Sequence, residues 1–346
     1  MIYNELGRTG LKVSAIGIGA GGPSRLGLAN GRSSASAIRL IRFGLDRGIN
    51  VLDTAAIYGT EDIIGTAIQG CRPQVVLSTK AALGPFFGIL DGSRFAARLS
   101  ARIGEVTSFV APDQTIEKRV HESLRRLRTD YIDIFHLHAV TQAQFELALQ
   151  QALPPLLRLK ESGKIRWIGI TEAFPRDRAH QMLKRASATG LFDCIMIGSD
   201  CLNQTVAPIV TLAKAHRSGV MGMHAIRGLS GQKGLQVLLD KVASCALIGE
   251  SARDAAKLLR LLKSHGVTTL AEAAIRFSQH ELKADVLLSG TGDAAHLDAN
   301  IAAVVAGPLP DAVCTEFRKL FSKASETSAR RISYMRRSQT ECLDRD

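Results

Sequence analysis

Eight times along the chain a short run rich in Val and Ile gives way to a longer amphipathic stretch, and this alternation leaves few folds open. The apolar runs cover 13–19, 50–52, 75–79, 131–137, 166–170, 194–197, 220–224 and 286–289. Between them the spacing predicts helices over 33–47, 61–69, 114–128, 143–162, 176–188, 205–217, a region ending in 270–279, and 294–303. Gly48, Gly163 and Gly219 each stand between a helix and the next strand, where a left-handed helix end is wanted. Eight strand–helix units close naturally into a (β/α)8 TIM barrel. The competing open, doubly wound sheet needs a G-x-G-x-x-G between its first strand and first helix. Here Gly17, Gly19, Gly21 and Gly22 run into Pro23 instead.

At 346 residues the chain is long enough for one large barrel, at a prior of roughly 150 residues per domain. The expected barrel domain is 1–310, followed by a C-terminal helix over 315–324 and a polar tail to 346. Residues 84–112 break the rhythm, and as a strand-to-helix loop they would overhang the site, with Phe86, Phe87, Arg94 and Arg98 shaping substrate choice. With 46% hydrophobic and 22% charged residues the chain can bury a core. No apolar run approaches the roughly 18 residues of a membrane span, and the start carries no secretory pattern. A cytoplasmic protein with no membrane partner is expected. The six cysteines are scattered without a Cys-x-x-Cys pair, so reduced thiols rather than a zinc ribbon or disulfide framework are expected. The 44 Lys and Arg against 32 Asp and Glu give +12, which favours anionic ligands, but the basic residues are dispersed and nucleic acid is not expected.

In a barrel of this kind the chemistry collects at the C-terminal ends of the strands. Asp53, Tyr58, Lys80 and His138 fall there, after or at the ends of the second, third and fourth strands. Together they suit carbonyl reduction, in which a hydride reaches carbon and the developing alkoxide needs a proton. Tyr58 is the expected donor. Its phenol, ordinarily near pKa 10, needs a neighbouring cation to work near neutrality, and Lys80 is expected to lower it. Asp53 would keep that ammonium charged and aimed, and His138 would orient the carbonyl. Such proton transfer contributes about 10²- to 10⁴-fold.

The residues around these four resemble the aldo-keto reductases. The stretch Gly48-Ile49-Asn50-Val51-Leu52-Asp53-Thr54-Ala55-Ala56-Ile57-Tyr58-Gly59 is similar to that family's first signature, Val76 to Lys80 to its lysine strand, and Ser123 to His138 to its histidine strand. Gly163 to Ile170 resembles its fifth strand and Leu6 to Ser14 its N-terminal β-hairpin, so that the likeness extends to about residue 305. The resemblance implies a barrel using NAD or NADP on a small carbonyl or sugar substrate. It places Gly19, Thr171, Glu172, Met196, His224, Gly290, Thr291 and Asn300 at the cofactor. Thr171 and Glu172 stand where the family has a Ser-Asn pair that holds the carboxamide, and Glu172 is expected to accept from the amide nitrogen. Met196 replaces a glutamine, and His224 replaces a tyrosine that stacks on the nicotinamide. Gly290 and His296 stand where the family's 2′-phosphate-gripping Lys and Arg would be, and Asp293 in the same loop would repel that phosphate. NAD is therefore expected to serve at least as well as NADP.

Two other readings remain open. One is a non-catalytic, nucleotide-sensing subunit on the same fold. The other is a metal-dependent barrel hydrolase built on His136 and His138, which share a strand face. No matching carboxylate and histidine set accompanies that pair, so no metal is expected. His136 is expected to be a hydrogen-bonded interior residue and Trp167 a core one.

Overall fold

The structure is a computed structural model that describes residues 1–83, 113–174, 176–198, 205–225, 248–281, 283–307 and 309–319. The 84–112 loop with Phe86, Phe87, Arg94 and Arg98 lies outside the described residues, as does the tail beyond 319. A two-stranded antiparallel hairpin opens the chain, β1 (Tyr3–Glu5) against β2 (Lys12–Ser14). The closed parallel barrel follows: β3 (Ile16–Gly19), β4 (Val51–Asp53), β5 (Val76–Ala82), β6 (Ile132–Val140), β7 (Ile165–Glu172), β8 (Cys194–Gly198), β9 (Gly219–Met223) and β10 (Val286–Ser289). Strand β10 pairs with both β3 and β9, which closes the ring. Each expected apolar run carries one of these strands. The exception in detail is 13–19, which Ala15 divides between β2 and β3.

Helices α1 (Ser34–Asp46), α2 (Glu61–Ala67), α3 (Asp113–Leu127), α4 (Leu153–Glu161), α5 (Gln181–Thr189), α6 (Ala207–Ala215), α7 (Ile248–Ser264), α8 (Leu270–Glu281) and α9 (Ala294–Val305) belong to the outer layer. Residues 311–319 are helical too, the described part of the expected C-terminal helix. The single helix expected over 143–162 is instead a turn at Phe145–Leu147, a π-helical turn at Ala148–Ala152, and then α4. Pro154 and Pro155 explain the division, because neither can donate the backbone hydrogen bonds of a continuous helix. The helix expected from 176 begins only at Gln181. Asp177 is the reason: its carboxylate accepts from Gln181 N at 3.0 Å and Met182 N at 2.7 Å, so it caps the helix from outside.

Two apolar layers follow from the alternation of side chains along each strand. Outward-facing residues such as Ile18, Leu52, Leu77, Phe135 and Ile168 pack against the helices. Inward-facing Val51, Val76, Ile134, Met196, Met221 and Val286 fill the barrel together with Leu6 and Val13 of the hairpin, with Trp167 packed against them. The hairpin thus closes one end, and the opposite end is left for the site.

The closed end is held by a repeated device. Asp133 accepts from Leu77 N at 2.9 Å, Asp193 from Ile168 N at 3.0 Å and Asp285 from Val220 N at 2.7 Å, each carboxylate reaching back to the preceding strand. Each is ion-paired as well: Asp133 with Arg72 and Arg166, Asp193 with Arg8 and Lys160, Asp285 with Lys214. Asn50 makes the same reach to Ser14 N at 2.7 Å. No described helix is long and apolar enough to cross a membrane.

Candidate active site

Asp53 is the last residue of β4, while Lys80 and His138 lie two residues inside the ends of β5 and β6. All three are therefore buried in the barrel mouth rather than carried on loops. The Lys80 ammonium donates to both Asp53 oxygens at 2.6 Å and to Thr54 O at 2.9 Å, and Ser78 Oγ donates to Asp53 Oδ1 at 2.7 Å. A buried pair is tolerable only when its donors and acceptors are filled in this way. Tyr58 ends a short 3-10 turn, Ala56–Tyr58. That turn is pinned by a 2.8 Å hydrogen bond between the Thr54 and Thr60 hydroxyls and by Arg25 Nη2 donating to Tyr58 O at 2.6 Å. The phenol oxygen lies 3.4 Å from His138 Nε2, and the rings meet edge to face at 5.7 Å. Gly21 makes room for this tyrosine, since a Cβ there would stand 2.4 Å from its ring.

The Lys80 ammonium is held by Asp53 and Thr54, with its nitrogen 5.5 Å from the centre of the phenol ring. Burial raises the Tyr58 pKa well above its ordinary value, and the Asp53 charge adds to the rise. Burial also lowers Lys80, against the opposing pull of Asp53. His138 is held well below its ordinary range by burial first and by the Lys80 charge second. At neutral pH the four groups therefore present a protonated phenol beside a neutral imidazole, above a lysine–aspartate pair.

His136, directly paired with Lys80 across the β5–β6 ladder, points into the barrel beneath the site. It is fully buried, and among the described residues neither ring nitrogen has a hydrogen-bond partner, contrary to expectation. Burial, then the Lys80 charge, keeps it neutral. Just above, the β6–β7 register slips between Leu137 and Val140. Ala139 takes a left-handed φ of 53° there, and its N–H goes to Thr171 Oγ1 at 2.7 Å. Among the described residues no group of three or more His, Cys, Asp or Glu is arranged to hold a metal ion.

The residues expected at a cofactor divide into two sets. Gly19 ends β3 beside β10, and a Cβ built on Gly290 would meet nothing nearer than Gly19 O at 3.7 Å and Gly21 O at 3.9 Å. Thr291 and Asn300 are nearby and buried, Thr291 Oγ1 accepting from Asp293 N at 3.0 Å and Asn300 Nδ2 donating to Ser289 Oγ at 2.8 Å. Glycines thus line this side of the barrel mouth, at the ends of the paired strands β3 and β10. Across the mouth, Met196 is buried on β8 among the inward apolar residues, level with Thr171. Glu172 departs from expectation: Oε1 accepts from Gly198 N at 2.7 Å and Oε2 is 2.7 Å from His180 Nδ1. Both oxygens have partners within the protein, and the side chain is fully enclosed. Half-buried His224 follows β9 with a left-handed φ of 70° and packs on Phe174, ring centres 5.6 Å apart.

Asp293 also differs from its expected part. It caps α9, accepting from Ala295 N at 2.9 Å and His296 N at 3.2 Å, and it pairs with Arg32 at 3.1 Å. Its charge is therefore balanced locally by a cation from the other end of the chain.

An aldo/keto reductase family model matches residues 15–321. The chain belongs to the aldo/keto reductase family. Among relatives of this aldo/keto reductase, an L-galactose dehydrogenase of Arabidopsis thaliana is 33% identical over 198 residues, 55% of this chain and 54% of the relative. The aldo-keto reductase YhdN of Bacillus subtilis is 34% identical over 179 residues, 49% of this chain and 47% of the relative. The chain thus spans about half the length of the curated relatives it matches. Among solved structures, aldo-keto reductase AKR11C1 from Bacillus halodurans in its holo form superposes with a TM-score of 0.67 at 24% identity, covering 92% of this chain and 96% of that one. An aldo/keto reductase from Klebsiella pneumoniae in complex with NADP and acetate gives 0.62 at 20% identity, covering 92% and 95%. These likenesses establish the fold of the aldo/keto reductase barrel.

Several residues that shape the candidate site escaped the sequence reading. Arg32, Phe174 and His180 act through partners distant in sequence or in left-handed backbone, which no periodicity announces. Asp177 did carry a signal: an Asp four residues before an amphipathic run is a cap candidate.

Proposed function

We propose that the protein transfers a hydride between NAD(P)(H) and the carbonyl or alcohol carbon of a small aldehyde, ketone or aldose, with Tyr58 as the general acid and base. The observation that carries this reading is the Tyr58 hydroxyl 3.4 Å from His138 Nε2, above the Lys80–Asp53 pair. Family membership supports it, as does the Klebsiella relative's complex with NADP. The L-galactose dehydrogenase relative favours an aldose among the substrates.

The glycine-lined ends of β3 and β10 suit NAD(P)H, which when bound would supply the hydride. Tyr58, Lys80, Asp53 and His138 then do the rest. His138, neutral at working pH, donates a hydrogen bond to the substrate oxygen and orients the carbonyl toward the phenol. Tyr58 passes its proton to the alkoxide as that charge develops, and its high pKa keeps the proton available until then. The Lys80 ammonium stabilises the phenolate left behind, and Asp53 fixes the ammonium so that no reorganisation is needed during the step. In oxidation the same proton returns to Tyr58 from the alcohol.

The test follows 340 nm absorbance with NADH and NADPH against a panel of aldehydes, and with NAD and NADP against aldoses, for the wild type and Tyr58→Phe. Turnover that the substitution lowers by about 10²-fold or more is the expected result. A panel without turnover, beside Trp167 fluorescence that still reports nucleotide binding, would replace this reading with the nucleotide-sensing one.

A further inference from the structure

Glu172 and His180 form a buried carboxylate–imidazole pair on the β7 side of the barrel mouth, both side chains fully enclosed. Enclosing a carboxylate is costly, and an apolar residue of similar volume would do as well for packing alone. The pair joins three places: the end of β7, the backbone N–H of Gly198 at the end of β8, and the residue that leads into α5. His180 stacks on the Phe174 ring at 5.8 Å and 22°, and His224 packs on the same ring at 5.6 Å and 32°. Phe174 is clamped in turn. Its ring presses on Gly198, where a Cβ would stand 2.4 Å away, and the Arg178 guanidinium lies 5.1 Å above it.

Both imidazoles take backbone conformations that side chains rarely adopt, with φ of 55° at His180 and 70° at His224. Strain kept at two non-glycine residues of one stack points to a use for the stack. The Glu172 side chain is fully enclosed, with a protein partner on each oxygen, so that use is indirect.

We propose that the Glu172–His180 pair, acting through the Phe174 ring, fixes His224 as a wall of the cofactor cleft, which makes Glu172 and His180 positioning residues for nucleotide affinity. The proposal rests on the reading that NAD(P)(H) binds across this barrel mouth. A shift of Glu172 moves His180 and so disturbs the Phe174 ring on which His224 packs. Chemistry at Tyr58, carried by other strands, is left intact.

The experiment titrates NADH and NADPH without substrate, following Trp167 quenching and nicotinamide emission, with thermal melts to show that each variant is folded. Glu172→Ala and His180→Ala should each raise Kd about tenfold, and the double variant no further, because both break one linkage. Glu172→Gln should stay within about threefold of wild type, since its amide can accept from Gly198 and donate to the other His180 tautomer. With saturating cofactor, kcat should change less than Kd. A folded Glu172→Ala with wild-type Kd overturns the proposal. So does an affinity lost in Glu172→Ala but kept in His180→Ala, which would mean that Glu172 touches the nucleotide itself. If variants of the pair fail to fold, Phe174→Leu decides, because a wild-type Kd there removes the ring stack from the argument. A wild type that binds neither nucleotide would instead sink the functional reading, and this proposal with it.

Discussion

At the closed end of the barrel, Asp133, Asp193 and Asp285 are buried carboxylates that hold strands together. At the open end, Asp53 and Glu172 are buried carboxylates that hold side chains in place. Each of the first three satisfies a backbone N–H of the preceding strand and is charge-paired with cations that reach solvent. Asp53, by contrast, receives an almost fully buried lysine and a serine hydroxyl, and Glu172 adds a buried histidine to the Gly198 N–H it accepts. The same costly group thus serves stability at one end and preorganisation at the other. Conserved chemistry at the two faces of such barrels divides in this way.

The division is tested most severely by pairing a substitution from each end. Tyr58→Phe should lower kcat/KM by about 10²- to 10⁴-fold while leaving the melting temperature within a few degrees. It removes the transferred proton and only one long hydrogen bond. Asp193→Ala should do the reverse. It strands Ile168 N and leaves Arg8 and Lys160 without their acceptor, a loss of about 2–3 kcal/mol of stability by urea unfolding. Activity per folded molecule should not change. A large kcat loss in Asp193→Ala would erase the distinction between the ends.

A smaller effect separates the two ends by pH. His136 and His138 are held neutral by burial, with pKa values below those of the unfolded chain. For a histidine depressed in this way, stability is fully present above the unfolded value near 6.5 and is lost as pH falls, because the unfolded chain takes up the proton first. Between pH 6.5 and 5 the two together should cost up to about 2.7 kcal/mol per pH unit, and His136→Leu should halve that slope in urea titrations. An unchanged slope would show that His136 is protonated in the folded state. The raised Tyr58 pKa sets the opposite limit: the proton needed for reduction should remain available through pH 9, so kcat should not fall there from phenol ionisation.

What sequence could and could not disclose follows the same line between the ends. The eight strands, the pairing of Asp53 with Lys80 and the approach of Tyr58 to His138 were all readable, because periodicity and strand ends fix them locally. The protonation of Tyr58 was not. It depends on whether the ammonium points at the phenol or at Asp53 and Thr54, and that is a matter of packing. Glu172 looked free for a ligand because its partners, Gly198 and His180, are joined to it only by the closure of the barrel mouth. The π-helical turn before α4 and the bulge after His138 likewise have tertiary causes, although Pro154 and Pro155 gave a local warning of the first.

The smallest effect concerns the loop before α9. Read alone, Asp293 argues against a 2′-phosphate, yet Arg32 pairs with it at 3.1 Å and donates to Gly292 O at 2.6 Å. Arg32 stands between α1 and the turn after β3, so its charge enters the β10–α9 loop from a part of the chain that the local sequence does not show. Both partners are about half exposed, which limits the pair to a modest, salt-screened influence. Arg32→Gln should therefore weaken NADPH relative to NADH by about two- to fivefold in Kd, and Asp293→Asn, which keeps the helix cap, should strengthen it by a similar factor. Both changes should shrink in 0.5 M salt, where the Debye length is about half that in ordinary buffer. If Arg32→Gln leaves the NADPH to NADH ratio unchanged, the loop does not face the 2′-phosphate. Discrimination between the two nucleotides would then lie outside the β10–α9 segment that the family resemblance singled out.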